Sequence, residues 1–277
     1  MTMFNPRGLY RAAHRVLTPV SAAYRSREFN RAVDATDDLS RNSCLVLAPH
    51  PDDETLGCAA TIMRKRATGT PVTIAIVTDG EVSMDENPAK KSMWSARRRD
   101  EALQAAAVMD VDSNNVRFLG FQDLSLSDEM ALVELQLLEL VRDVSPQEIF
   151  VPAIGDRHPD HFALNLALRS IVKRQAYGGT VYEYPIWLWR VYPWTTRPAN
   201  IIDAIWAFAR DPIAALFRPA AVLVSTEGFI ERKRAAIACY ESQVSNPSRE
   251  DRMWTFPDGF AESFLGPYEI FFRLRAS

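Results

Sequence analysis

Cys44-Leu45-Val46-Leu47-Ala48-Pro49-His50-Pro51-Asp52-Asp53-Glu54 is the stretch on which the reading of this chain turns. Its first half is an unbroken apolar run of strand length, the pattern of a strand buried on both faces. Its second half bends through two prolines into acidic residues, which are favoured at a helix start. Residues 55–67 then follow helical spacing and stop at Gly69, a residue suited to the position just past a helix end. The same grammar repeats downstream: residues 72–77, 116–119 and 148–151 read as short strands, and residues 95–109, 128–144 and 161–173 as helices. Strands alternating with helices of this length indicate crossover units, hence an α/β fold with a mainly parallel sheet covered by helices on both faces.

Composition narrows the classes further. The 277 residues are 47% hydrophobic and 24% charged, which excludes wholesale disorder. A net charge of −3 gives no global field for gripping nucleic acid. No uncharged apolar stretch reaches the length of about 18 residues that a membrane span requires. Cys44, Cys58 and Cys239 are an odd set in apolar or helical settings and fit a reducing compartment, so a cytoplasmic protein is expected.

Two regions stand apart from the α/β grammar. Residues 1–42 carry Arg7, Arg11, Arg15, Arg25, Arg27 and Arg31 against Glu28 before Val33. Tyr10, Val16, Leu17, Val20 and Tyr24 share a helical face, with Pro19 as a break, and no apolar core of a secretory signal follows the first basic residue. This predicts a basic N-terminal helical extension packed on the body, with peripheral contact to anionic lipid as the sharper alternative. His14 reads as an ordinary residue of that helix, and residues 43–277 as the main domain. Within it, residues 182–224 crowd Tyr182, Tyr184, Trp187, Trp189, Tyr192, Trp194 and Trp206 ahead of an apolar segment holding Pro212 and Pro219. An aromatic insertion or lid of short helices is expected, able to wall a cleft for a sugar ring or an acyl chain.

The chemistry concentrates in two loops. His50-Pro51-Asp52-Asp53 and His158-Pro159-Asp160-His161 each follow a predicted strand, and the carboxyl ends of parallel strands form the ligand crevice of an open sheet. A single copy of such a tetrapeptide reads as a turn with a capping histidine. Two copies at equivalent strand ends point instead to a metal. A catalytic zinc site takes three His or carboxylate ligands and leaves one position open, and His50, Asp53 and His161 supply that set. Asp52 remains beside the metal to accept a proton, and His158 remains opposite, with Asp160 as its expected orienting partner. An oxygen- and nitrogen-rich site of this kind also suits Fe2+.

The segment from Ala48 to Glu54, followed by His158-Pro159-Asp160-His161, resembles the GlcNAc-phosphatidylinositol de-N-acetylase family (PIG-L or LmbE-like proteins). Thr78-Asp79-Gly80-Glu81, Arg98 with Glu101, Lys233, Ala236, Tyr240, Ser242 and Gln243, and Glu262-Ser263-Phe264 extend the resemblance across residues 43–264. The resemblance implies a Rossmann-like fold and zinc-dependent removal of an N-acyl group, usually acetyl, from an amino sugar that is a small molecule or lipid-linked. It places the zinc ligands on His50, Asp53 and His161, the general base on Asp52 and an oxyanion-stabilising or proton-donating histidine on His158, oriented by Asp160. It also makes Arg98 a substrate contact. Two other readings compete: a metal amidase that removes a longer acyl chain, and a non-catalytic sugar-binding module on the same scaffold. The first βα loop lacks Gly-x-Gly-x-x-Gly, which argues against dinucleotide binding.

Overall fold

The computed structural model describes residues 6–81, 87–196, 199–244 and 255–274, with side chains from residue 19 onward except those of Arg190, Val191 and Ile201. In chain order, helix α1 (Pro6–Arg31) and strand β1 (Val33–Asp34) precede β2 (Cys44–Ala48), α2 (Asp53–Ala67), β3 (Val72–Thr78), α3 (Pro88–Val108) and β4 (Val116–Phe121). Next come α4 (Met130–Val144), β5 (Glu148–Pro152), α5 (Pro159–Lys173), β6 (Thr180–Tyr184) and α6 (Leu188–Val191). The chain continues through α7 (Ile201–Leu216), β7 (Val222–Ser225), α8 (Ile230–Ala238), α9 (Glu241–Val244) and β8 (Tyr268–Arg273).

The strands form one eight-stranded sheet in the order β1-β7-β8-β6-β5-β2-β3-β4. β8 runs antiparallel to β6 and β7, and the remaining pairs are parallel. From β2 the chain steps outward to β3 and β4, then returns to lay β5 on the other side of β2, with Cys44 opposite Glu148 and Val46 opposite Phe150. The winding direction therefore reverses between β2 and β5, and a crevice opens at their carboxyl ends, where ligands bind in open α/β sheets.

Alternation along the buried strands divides the core into two layers. Val46, Ala48, Ile74 and Ile76 face α2 and α3 on one side. Leu45, Leu47, Ala75, Val77, Ile149 and Val151 face α4 and α5 on the other. Helix α2 is buried along most of its length, and it approaches β6 so closely that a Cβ on Gly57 would lie 2.4 Å from Tyr184 Cδ2. Two buried ion pairs clamp this layer. Lys65 Nζ lies 2.6 Å from Glu148 and 2.7 Å from the Asn42 carbonyl. Lys233 Nζ lies 2.6 Å from Glu269 and 2.9 Å from the Leu56 carbonyl, while Glu269 accepts the Ala60 and Thr61 amides.

Residues 1–42 are less separate than the sequence predicts. β1 joins the sheet by pairing with β7, and Glu28, wholly buried, accepts the Tyr192 hydroxyl at 2.9 Å. The side chains of residues 6–18, including Tyr10, Arg11, His14 and Arg15, lie outside the described residues, and with them the lipid contact expected there. The predicted insertion over residues 182–224 also contracts, because its two ends are the strands β6 and β7. Between them α7 is a single helix that includes Pro212, where short helices were expected. Proline leaves the carbonyl four residues earlier without its helical donor, and here the Trp194 indole donates to that Phe208 carbonyl at 3.0 Å.

Candidate active site

The loops after β2 and β5 meet at the crevice. Asp53 opens α2, and its Oδ2 accepts the His50 backbone amide at 3.0 Å, which folds the loop onto itself. That oxygen also lies 3.2 Å from His50 Nδ1 and 3.2 Å from His161 Nε2. The two ring nitrogens are 3.3 Å apart. Three donor atoms thus form a nearly equilateral triangle. A tetrahedral ion with ligand bonds of about 2.0–2.1 Å has ligand-to-ligand edges of about 3.3 Å, so the triangle has the dimensions of one face of such a site.

The outer nitrogens support the same reading. His161 Nδ1 lies 2.9 Å from Asp156 Oδ2, and His50 Nε2 lies 3.2 Å from Asp160 Oδ2. A carboxylate on the outer nitrogen holds the ring proton there and turns the inner lone pair toward the centre, the arrangement found behind metal-bound histidines. Burial works against a charged imidazole on His161, but the Asp53 and Asp156 carboxylates outweigh it and raise its pKa to about 9. Asp53 is buried, yet His161 and His50 hold its carboxyl below the usual range. The residues present therefore fit a divalent cation. His158 also lies near, its donor atom within 4.8 Å of those of His50 and His161. The Asp53 oxygen, 3.2 Å from each of the two inner ring nitrogens, makes the tighter set.

One expected pairing changes. Asp160 Oδ2 is 3.9 Å from His158 Nδ1, farther than from His50, and it accepts the Leu124 amide at 2.7 Å. The carboxylate is therefore placed to orient His50 rather than His158. His158 instead caps α5, its Nδ1 accepting the Asp160 backbone amide at 3.3 Å. An accepting Nδ1 leaves the proton of the neutral ring on Nε2. Burial and the charges of His50 and His161 lower the His158 pKa to about 3, which agrees with the neutral ring.

Asp52 occupies the turn with φ 140° and ψ −30°, a conformation that L-residues rarely adopt. Its amide donates to Glu54 Oε2 at 3.2 Å, and Glu54 is held by the Tyr240 and Thr55 hydroxyls. Arg98 donates through Nη2 to Asp52 Oδ2 at 3.0 Å and to the Pro51 carbonyl. Burial pushes the Asp52 carboxyl up to about 8; Arg98 pulls the other way, and the neighbouring Asp53 adds to the rise. Arg98, expected to touch substrate, thus grips Asp52 while also lining the cavity.

That cavity measures about 290 Å³. Asp52, Asp53, His50, His158, Arg98 and Asp123 form its polar end, and Leu56, Leu124, Ile186, Trp187, Phe256 and Phe260 its apolar wall, with Gln243 also lining it. Trp187 stacks on Phe260 with ring centroids 4.3 Å apart. Of the more distant motif residues, Glu101 accepts the Ser242 amide and hydroxyl at 2.9 and 2.6 Å, and Lys233 is engaged by Glu269 in the core. Sequence reasoning missed Asp156 and Asp123. Asp156 stands five residues before His161, and that proximity was the available signal.

Residues 45–172 match the family described as PIG-L, GlcNAc-PI de-N-acetylase. Over 139 residues the chain is 34% identical to the probable N-acetyl-alpha-D-glucosaminyl L-malate deacetylase 2 of Bacillus subtilis, covering 47% of this chain and 61% of that protein. Over 170 residues it is 30% identical to the 1D-myo-inositol 2-acetamido-2-deoxy-alpha-D-glucopyranoside deacetylase of Streptomyces griseus, covering 51% of this chain and 52% of that protein. The matches thus span between about half and three-fifths of these relatives. The crystal structure of the conserved protein TT1542 from Thermus thermophilus superposes with a TM-score of 0.57 at 26% identity, covering 86% of this chain and 96% of that one. Residues 45–172, which contain both histidine loops and make up just under half of the chain, are thus similar to the GlcNAc-PI de-N-acetylase family.

Proposed function

We propose that the protein is a zinc-dependent hydrolase that removes the N-acetyl group from a GlcNAc-type amino sugar. The observation that carries this reading is the donor triangle of His50, Asp53 and His161, with carboxylates behind both imidazoles and Asp52 beside it at the cavity wall. The deacetylase names of the relatives support the substrate class. A divalent ion bound at the triangle supplies Lewis acidity to the acyl carbonyl and to water.

The chain's own residues do the rest. Asp52, gripped by Arg98, takes a proton from water as the water oxygen bonds to the acyl carbon. His158 offers its Nε2–H to the carbonyl oxygen as negative charge gathers there. When the carbon–nitrogen bond breaks, Asp52 returns the proton to the departing amine, so acetate and a free amino sugar leave. Asp156 and Asp160 keep His161 and His50 in the required tautomers. A second reading, removal of a longer acyl chain, draws support from the apolar wall of Leu56, Ile186, Trp187, Phe256 and Phe260. Fe2+ is the alternative ion.

The test is amine release from N-acetylglucosamine glycosides and their N-octanoyl counterparts, with chelator-stripped and zinc- or iron-reloaded protein. Metal-dependent release of acetate supports the proposal, and preference for the octanoyl compounds moves it to the second reading. Turnover that ignores metal removal overturns both.

A further inference from the structure

We propose that the outward face of α7 is a docking surface for the interfacial layer of an anionic lipid bilayer. A surface helix ordinarily buries an apolar stripe and exposes polar residues. In α7 this is reversed. Asp211 is buried together with Ala207 and Ala215, whereas Ile202, Ile205, Trp206, Ile213 and, capping the carboxyl end of the helix, Phe217 are each more than half exposed. At about 100° per residue these five fall on one side of the helix.

The helix is held to the body by polar links. Asp211 accepts the Thr196 amide and hydroxyl, each at 2.7 Å. The Tyr24 hydroxyl donates to the Pro212 carbonyl at 3.1 Å, and the Trp194 indole donates to Phe208. These contacts fix the backbone with its apolar side outward.

Charge and extent choose the occupant. Arg27 and Arg31 reach the Leu216 carbonyl at the carboxyl end of α7, Arg218 donates to Thr195 nearby, and the Arg210 side chain is 62% exposed. Asp203 is the exposed acid of the helix, and Asn200 donates to it at 3.0 Å. An apolar face with a tryptophan and an arginine margin has the composition of helices that lie in the headgroup region. The face is confined to a helix of 16 residues, about 24 Å long. A standard interface with a second copy draws on about 20–30 residues a side. Among the described residues no helix is long and apolar enough to cross a membrane, so α7 would lie in the plane of the surface. This inference is independent of the reaction proposed above. Trp194, which stacks on Phe208, accepts a 2.8 Å hydrogen bond at its carbonyl from Arg157, the neighbour of His158.

The full chain is sedimented with vesicles of phosphatidylcholine alone and of phosphatidylcholine mixed with phosphatidylglycerol, in about 0.1 M salt. The parent is expected to sediment with the mixed vesicles, less with phosphatidylcholine alone, and less as salt rises. Ile205→Ser with Trp206→Ser should lower the partition at least about tenfold, and Ile213→Ser with Phe217→Ser should do the same independently. Arg210→Gln should cost about fivefold on mixed vesicles only. Unchanged circular dichroism and thermal midpoints show that the variants are folded. A parent that ignores both vesicles, or serine pairs that bind as it does, overturns the proposal. So does a dimer in light scattering that the serine pairs dissolve while vesicle binding is absent.

Discussion

Asp156 offers the most direct test of the centre. Its Oδ2 takes three hydrogen bonds at once, from His161 Nδ1 at 2.9 Å, the Ile186 amide at 3.1 Å and the Trp187 amide at 3.2 Å. Its Oδ1 is buried with no hydrogen-bond partner among the described residues. Asp156→Asn keeps an oxygen where all three donors point, but removes the negative charge behind His161. Metal affinity should fall about 10- to 100-fold, or about 1.4–2.7 kcal/mol. The new amide group takes the place of the unpartnered oxygen, and its unpaired donors should cost about 1–3 kcal/mol of stability in the metal-free protein. Asp156→Ala strands both backbone amides and also loses the charged hydrogen bond, so the cost should rise to about 3–6 kcal/mol. Competition with a chromogenic chelator measures the first quantity, and urea unfolding of stripped protein measures the second. Parent-like zinc affinity in Asp156→Asn would refute the argument that this carboxylate prepares a metal ligand. Equal stability of the two variants would refute the hydrogen-bond accounting.

Asp52→Asn should keep the metal and lose about 10²- to 10⁴-fold in turnover. The native Asp52 pKa of about 8 lies above that of the unfolded chain, so ionisation destabilises the fold progressively between about pH 4 and pH 8. In metal-free protein the asparagine variant should therefore gain thermal stability over the parent across that window, and the difference should vanish at its acid end. Glu148→Ala leaves the buried Lys65 ammonium with the Asn42 carbonyl and the Phe150 ring face but no counter-charge among the described residues, and unfolding titrations should show a loss of about 3–5 kcal/mol. Gly57→Ala drives a methyl into the buried Tyr184 ring and should cost about 1–3 kcal/mol, read as a fall in thermal midpoint of about 2–4 °C per kcal/mol.

The centre of the fold was legible because local signals agree there. The apolar run Cys44–Ala48 is β2 as expected, and the four anticipated helices appear as α2 to α5, with differences at their starts. Both histidine loops follow adjacent parallel strands. The second half of the sheet was not legible. β7 has four residues and β1 two, too few to display a period. The single course of α7 through Pro212 depends on an indole from another segment, which no local pattern records. The site divides in the same way. Residue types and spacing brought forward His50, Asp53, His161 and Asp52, but which carboxylate serves which imidazole is settled by packing, and so Asp160 lies nearer His50 than His158.

The strand that completes the sheet is the last of the described elements to be synthesised. β8 sits between β6 and β7, and β1 reaches the rest of the sheet only through β7. During translation the strands from β2 to β6 have all their parallel partners once Tyr184 has emerged, and β6 alone among them still awaits β8. The β1–β7 edge has none in the sheet until Tyr268–Arg273 leaves the ribosome, and Glu269 brings the counter-charge of Lys233 on the same strand. Closure of this domain is therefore a late, long-range event, and a chain stopped short of β8 would retain the two histidine loops on an unfinished sheet with one side left open.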